Sequence, residues 1–173
     1  MSAPRYKQAM KHIVDVAPSS LLKTQLVKLL YLADLEWYRC TGEQITELRY
    51  IWGHFGPWDQ RIEDALAEME GHDLQCSWRG RLRDGESYCV VTPGPSPRIS
   101  VELPPAMAEV IESTVRAYSR VPLETLLADI VYETAPMKAA QRGQPLPMDA
   151  EPRVSPVDWE CVADVISHVP VDT

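Results

Sequence analysis

The sequence predicts a mainly α-helical domain of the α+β class, in which about six helices pack around a two-stranded β-hairpin wing. Three observations lead to this prediction. Apolar residues recur at helical spacing in several stretches, most clearly from 20 to 40. Residues 74–92 alternate between apolar and polar side chains around Asp84-Gly85, a pair typical of a two-residue hairpin turn. The length of 173 residues fits a single domain.

The N-terminal half contains three predicted helices. The first covers 6–17, and the second covers 20–40 and ends before Gly42. Gly56-Pro57 is predicted to open the third, because proline is favoured in the first turn of a helix, and Gly71 ends it. The apolar stripe of the second helix consists of Leu22, Leu26, Leu29, Leu30, Ala33 and Trp37.

The C-terminal half contains three further predicted helices and a change in composition. One helix runs from Pro104-Pro105 to about Arg120, and a shorter one follows Pro122 and ends before Pro136. Four prolines between 142 and 156 predict a linker. The expected organisation is therefore a domain over 1–141, a proline-rich linker over 142–156 and a C-terminal helix over 157–169.

The predicted hairpin has an apolar face and an arginine face. A turn at Asp84-Gly85 pairs Arg81 with Tyr88 and Trp78 with Val91. Leu74, Cys76 and Trp78 are then expected on the apolar face, and Arg79, Arg81 and Arg83 on the opposite face. The three arginines are read as charges that protect an edge strand from aggregation, or as a surface for an acidic partner or a phosphate backbone.

The composition favours a cytoplasmic protein that does not bind membranes. No apolar run approaches the roughly 20 residues of a membrane span, and the N-terminus has no apolar core of a signal peptide. The four cysteines are scattered without a CxxC motif, which is typical of a reducing compartment. A formal net charge of −8 does not favour binding to nucleic acid.

No catalytic or metal-binding pattern is present, so the chain is expected not to be an enzyme and to need no cofactor. It lacks a phosphate-binding GxxxxGK[ST] loop and a GxSxG nucleophile elbow. His72 and Cys76 lie four residues apart, but no second pair of ligands accompanies them. Paired acids such as Asp59 and Glu63 suit the solvated first turns of a helix.

The stretch YIWGHFGPW, 50–58, concentrates aromatic surface beside a turn. It could form a corner of the core, a ligand pocket or a surface that binds another protein. We expect Tyr50, Phe55 and one tryptophan to be structural, because large aromatic side chains favour burial.

The series from 28 to 57, together with VYETAP at 131–136, resembles the signature of the Panacea domain, the SocA-like antitoxin family. Where that family usually has a tryptophan after the late proline, this chain has Met137. The resemblance covers roughly residues 20–140 and implies a structural role for the shared residues. The positions that match are Lys28, Leu29, Leu30, Tyr31, Asp34, Gly42, Tyr50, Gly56, Pro57, Glu133 and Pro136.

The resemblance implies an antitoxin of a toxin–antitoxin module, which neutralises a cognate protein toxin by direct binding. It also implies a second mode, in which the antitoxin acts as an adaptor that delivers the toxin to an ATP-dependent protease such as ClpXP. No active site is implied. The alternative is a DNA-binding regulator of the winged-helix type, although no helix is basic enough to be an obvious recognition helix.

Six residues are candidates for partner binding. The matching pattern does not include Trp52, His54 or Trp58, and tryptophan and arginine are the residue types most enriched at binding hot spots. The candidates are therefore Trp52, His54, Trp58, Arg79, Arg81 and Arg83.

Overall fold

The computed structural model describes residues 2–81 and 87–154. Over these ranges the chain forms six α-helices and two small antiparallel sheets, which confirms the predicted α+β class. The helices are α1 (Arg5–Val16), α2 (Lys23–Thr41), α3 (Gln60–Met69), α4 (Pro105–Tyr118), α5 (Leu123–Thr125) and α6 (Ala135–Ala139). The strands are β1 (Leu21–Leu22), β2 (Ile51–Gly53), β3 (Gly56–Trp58), β4 (Leu74–Arg81) and β5 (Ser87–Pro93).

The core is built around α2. Every residue from Gln25 to Leu35 is buried, because α1, α4 and β5 pack around this helix. It ends as predicted at Gly42, which adopts a left-handed conformation with a φ of 78°. It begins later than predicted, at Lys23, because Leu21 and Leu22 pair with Val91 and Val90 instead.

The hairpin of β4 and β5 lies where it was predicted, but its register was predicted wrongly. Trp78 pairs with Cys89 and Arg79 with Tyr88, two residues away from the expected pairing. The difference is even, so residues 74–79 keep their predicted faces. A register shift between Arg79 and Arg81 interrupts the regular alternation on which the arginine face depended. Arg83 and the Asp84-Gly85 turn lie outside the described residues.

The prediction that Gly56-Pro57 opens the third helix is wrong. These residues belong to β3, which pairs with β2 in a second hairpin whose turn is His54-Phe55. Gly56 has a φ of 91°, which a right-handed helix cannot accommodate. The helix α3 begins at Gln60, because the carboxylate of Asp59 accepts a hydrogen bond from the backbone N–H of Arg61 at 2.9 Å and caps it.

The predicted linker packs on the body of the protein as far as Val154. The backbone N–H of Leu146 donates to the carbonyl of Tyr50 at 2.9 Å, and the N–H of Trp52 donates to Gln144 at 2.9 Å. Glu151 is buried and pairs with Arg39 at 2.6 Å. As its prolines predicted, the stretch forms no long helix, only a 3-10 turn at Met148–Ala150. The division between a domain and a terminal segment stays a prediction.

The C-terminal helices differ from expectation after Pro122. The three residues of α5 continue as a π-helix over Leu126–Val131, and α6 then begins with Pro136 in its first turn. Proline starts this helix instead of only ending the previous one, because its missing N–H is not needed there. The sixth described helix is thus α6, while the predicted helix over 157–169 lies outside the described residues.

Candidate partner-binding groove

An apolar groove of about 770 Å³ lies between the two hairpins, beside the first turns of α2. Most of its lining comes from three parts of the chain that are far apart in sequence: the start of α2, the β2–β3 hairpin and the β4–β5 hairpin. Glu63, Leu123, Arg142 and Gly143 complete it. We call it the aromatic groove. Its aromatic lining consists of Trp52, His54, Phe55, Trp58, Trp78 and Tyr88.

The large hydrophobic side chains that are exposed in the described residues both line this groove. Trp78 is 65% exposed and Phe55 is 46% exposed, and both line it. A contiguous exposed apolar patch on a folded protein marks an interaction site more often than a random feature. Phe55 was expected to be buried, and that expectation is wrong, whereas Trp78 keeps its predicted place on the apolar face of the hairpin but is exposed. Phe55 occupies the turn between β2 and β3, and Trp78 lies on a sheet face that no described element covers there.

Trp52 forms the fixed wall of the groove. Its ring packs against that of Tyr132, with the ring centroids 5.9 Å apart, and its backbone bonds to Gly143 and Gln144. Its indole Nε1 is buried and has no hydrogen-bond partner among the described residues. Half-burial and backbone pairing keep this side chain in place, so Trp52 supplies shape to the groove.

Lys28 lies at the floor of the aromatic groove and is only 2% exposed. Its ammonium donates to the carbonyl of Pro57 at 2.8 Å, which ties β3 to α2. Burial lowers the pKa of Lys28 to about 7, because the charged form loses its hydration. The matched lysine and the matched Gly56-Pro57 pair are therefore direct partners in the fold.

Lys28 predicts a measurable pH dependence of stability. Between pH 7 and its ordinary value of 10.5, the unfolded chain keeps a proton on Lys28 that the folded chain has lost, so stability rises with pH. Burial raises the pKa of Cys40 to about 11 and of Cys76 to about 12, and these thiols act in the opposite direction above about pH 9. The effect of Lys28 on stability is therefore best measured between pH 7 and 8.5, below the range in which the thiols act.

We expect wild-type protein to gain about 1–2 kcal/mol more stability across this window than Lys28→Met does. Urea unfolding at pH 7 and 8.5 measures the difference. Lys138→Met, which removes an exposed lysine, is the matched control and should keep the wild-type slope. Equal slopes for wild type and Lys28→Met would show that Lys28 is not desolvated.

The other matched positions of α2 also hold distant segments. The hydroxyl of Tyr31 is hydrogen-bonded to the Thr134 hydroxyl at 2.8 Å, which joins α2 to the late motif. Its ring meets that of Tyr50 edge-on, with the centroids 5.3 Å apart. Lys28, Tyr31 and Asp34 thus lie on successive turns of one helix, and each anchors a different part of the chain.

Asp34 organises the loop that leads into β2. It is fully buried and accepts hydrogen bonds from the Thr46 N–H at 2.8 Å, the Thr46 hydroxyl and the Tyr50 hydroxyl at 2.7 Å. Burial raises the pKa of its carboxyl group, and these hydrogen bonds oppose the rise. With a further bond from the Gln44 side-chain amide at 3.4 Å, the carboxyl group satisfies four donors of a loop that has no regular secondary structure.

The remaining matched residues are structural or exposed. Leu29 and Leu30 are completely buried in the core, and Pro136 is buried in the first turn of α6. Glu133 is exposed and pairs with Lys138 at 2.7 Å. Most of the family-like positions therefore build the fold, and two of them, Lys28 and Gly56, also line the groove.

The structure brings together three of the six predicted partner-binding residues. Trp52, His54 and Trp58 all line the aromatic groove. Arg79 is exposed and lies outside the lining, on the strand next to it, paired with Tyr88. Arg81 pairs with Ser87 in the backbone register, and Arg83 lies outside the described residues.

Sequence reasoning missed Phe55, Trp78, Tyr88, Lys23 and Arg142 as groove residues. A signal existed for Trp78: an apolar strand face needs a covering element, and the sequence offers no obvious one. Lys23 and Arg142 carried no such signal, because they lie 119 positions apart in a chain of 173 and line the same groove only once the chain is folded.

The described residues contain no group of three potential metal ligands. None of their helices is long and apolar enough to cross a membrane.

Comparison with known proteins identifies one family. The model of the family described as "Antitoxin SocA-like, Panacea domain" matches residues 26–135, more than half of the chain. No curated protein and no solved structure gives a significant match. The matched range runs from the buried half of α2 to the first residue of α6 and contains the hydrogen bonds of Lys28, Tyr31 and Asp34 described above. The chain therefore belongs to the SocA-like antitoxin family and has a cognate toxin as its implied partner.

Proposed function

We propose that this protein neutralises its cognate toxin by binding it directly through the aromatic groove, without catalysing a reaction. The observation that carries the proposal is the concentration of exposed aromatic surface in one groove of an antitoxin-family domain. Binding hot spots favour tryptophan in pockets that the partner can desolvate, and Trp58 and Trp78 line such a site.

Binding rather than catalysis also fits the chemistry of the groove. The titratable side chains in its lining are Lys23, Lys28, His54, Glu63, Tyr88, Cys89 and Arg142. Lys23 is paired with Glu63 at 2.9 Å, and Lys28 is bonded to a backbone carbonyl. Covalent catalysis requires a nucleophile that is activated, for example by an adjacent general base. Neither the ion pair of Lys23 nor the hydrogen bond of Lys28 to a carbonyl is such an arrangement.

Co-expression with the neighbouring gene tests the proposal. We expect the neighbour's product to arrest growth when expressed alone, and this protein to restore growth and co-purify with it. Size exclusion with light scattering then gives the mass of the complex. A harmless neighbour together with a lone monomer would contradict the antitoxin role and bring the DNA-binding alternative forward.

We further propose that the protein acts as an adaptor for an ATP-dependent protease. Residues 143–154 are anchored to the body by backbone hydrogen bonds and by the ion pair of Glu151 with Arg39, so the test leaves them in place. We expect removal of residues 155–173 to slow toxin turnover while toxin binding persists. Unchanged turnover would contradict adaptor action through this part of the chain.

A further inference from the structure

The charges around the aromatic groove differ from those of the protein as a whole. The chain has 17 basic and 25 acidic residues. Apart from Lys28, which is buried at the floor and bonded to a backbone carbonyl, the groove lining reverses this balance, with Lys23 and Arg142 against a single carboxylate, Glu63. An acidic protein therefore carries more basic than acidic side chains around this groove.

These positive charges are held at defined places. The ammonium of Lys23 lies 5.8 Å from the ring centroid of Trp78, within the range of a cation–π contact, and pairs with Glu63 on the other side. Arg142 is exposed, and no carboxylate of the described residues forms an ion pair with it. Arg79 is exposed on the adjoining strand. A ligand in the groove would thus meet aromatic surface in the middle and basic groups at its margin.

We propose that the aromatic groove binds a segment of the toxin in which a large apolar side chain is flanked by carboxylates. This inference rests on the proposed antitoxin function and adds the chemistry of the bound segment. The apolar side chain inserts between the two hairpins against Trp58 and Trp78, and the flanking carboxylates lie near Arg142 and Lys23. A second copy of this chain is a poorer occupant, because two proteins of formal charge −8 repel each other.

Two substitutions separate the apolar part of the site from the charged part. Trp78→Ala removes an exposed side chain, so the fold should tolerate it. Arg142→Glu reverses an exposed charge at the groove margin, and Arg116→Glu makes the same change on α4, outside the groove lining. Thermal unfolding of each variant verifies that it is folded.

Isothermal titration calorimetry at two salt concentrations measures the affinity of wild type and of each variant for the purified product of the neighbouring gene. We expect Trp78→Ala to weaken binding at least about 30-fold, the loss typical of a hot spot. Arg142→Glu should weaken it about 5- to 10-fold, with a smaller loss at high salt, and Arg116→Glu should change it less than about 2-fold.

The possible failures can be told apart. If wild type does not bind the neighbour's product, the antitoxin function fails, and this inference fails with it. If wild type binds and neutralises but Trp78→Ala binds equally well, the groove is not the interface, and the antitoxin function stands. If Trp78→Ala loses affinity but Arg142→Glu does not, the proposal that the bound toxin segment carries carboxylates is wrong. A wild-type homodimer that Trp78→Ala dissociates would assign the groove to a second copy.

Discussion

Replacing Asp34 with alanine should lower the free energy of unfolding by about 3–5 kcal/mol, the largest effect expected of any single change here. The substitution removes a carboxylate that no solvent replaces, because Asp34 is fully buried. It leaves the N–H and hydroxyl of Thr46 and the hydroxyl of Tyr50 without their acceptor. Each buried group that loses its partner costs about 1–3 kcal/mol.

Thermal and urea unfolding measure this loss, which corresponds to roughly 6–20 °C in the midpoint for a chain of this size. Glu109→Ala, which removes an exposed carboxylate from α4, is the control and should be close to neutral. Asp34→Asn keeps one acceptor oxygen, so its loss of stability should lie between the losses of Asp34→Ala and Glu109→Ala. A near-neutral Asp34→Ala would mean that residues 43–50 do not depend on this carboxylate for their structure.

Leu146→Ala should destabilise the protein by about 2–4 kcal/mol, the second-largest effect. Leu146 is only 7% exposed, and its backbone is paired with Tyr50 beside β2. Truncation would remove the free energy gained by burying the deleted methyl groups. The cavity left in the core would add a further cost. A leucine in a detached linker would give almost no effect.

The measurement is urea unfolding of Leu146→Ala beside Asp149→Ala, an exposed position in the same segment. Asp149→Ala should lie within about 0.5 kcal/mol of wild type. Equal stability of the two variants would show that the proline-rich stretch does not pack on the body in solution. The comparison therefore decides whether 143–154 belongs to the folded domain.

Both predictions concern residues that support the groove from behind. Asp34 holds Tyr50, which directly precedes β2, and Leu146 bonds to the backbone of the same Tyr50. The strand β2 and its turn then present Trp52, His54 and Phe55 to the groove. Asp34 and Tyr50, which match the family, and Leu146, which lies outside the matched range, thus fix the position of an exposed surface that the matching pattern does not include.

The sequence could predict this much because helical periodicity and turn chemistry are local. The stripe from Leu26 to Trp37 predicts α2, and Gly42 ends it, since only the neighbouring residues decide those features. The faces of residues 74–79 follow from alternation alone, and they survive the error in register. The family signature was also readable, because its residues keep their order and spacing along the chain.

The rest depended on contacts between distant segments. Gly56-Pro57 has the local chemistry of a helix start, but pairing with β2 and the bond from Lys28 hold it in a strand. The proline-rich stretch looks like a linker until its backbone is seen to pair with Tyr50 and Trp52.

By itself, the sequence determined the fold class, the order of most elements and the family, since each rests on patterns within one stretch of chain. Only the tertiary structure decided which apolar residues stay exposed, because burial depends on what another part of the chain covers. Trp78 lies on the apolar side of its strand and still faces solvent, while Leu146 follows five exposed residues and is buried. The aromatic groove exists only where the two hairpins meet α2, and no single stretch of the sequence contains it.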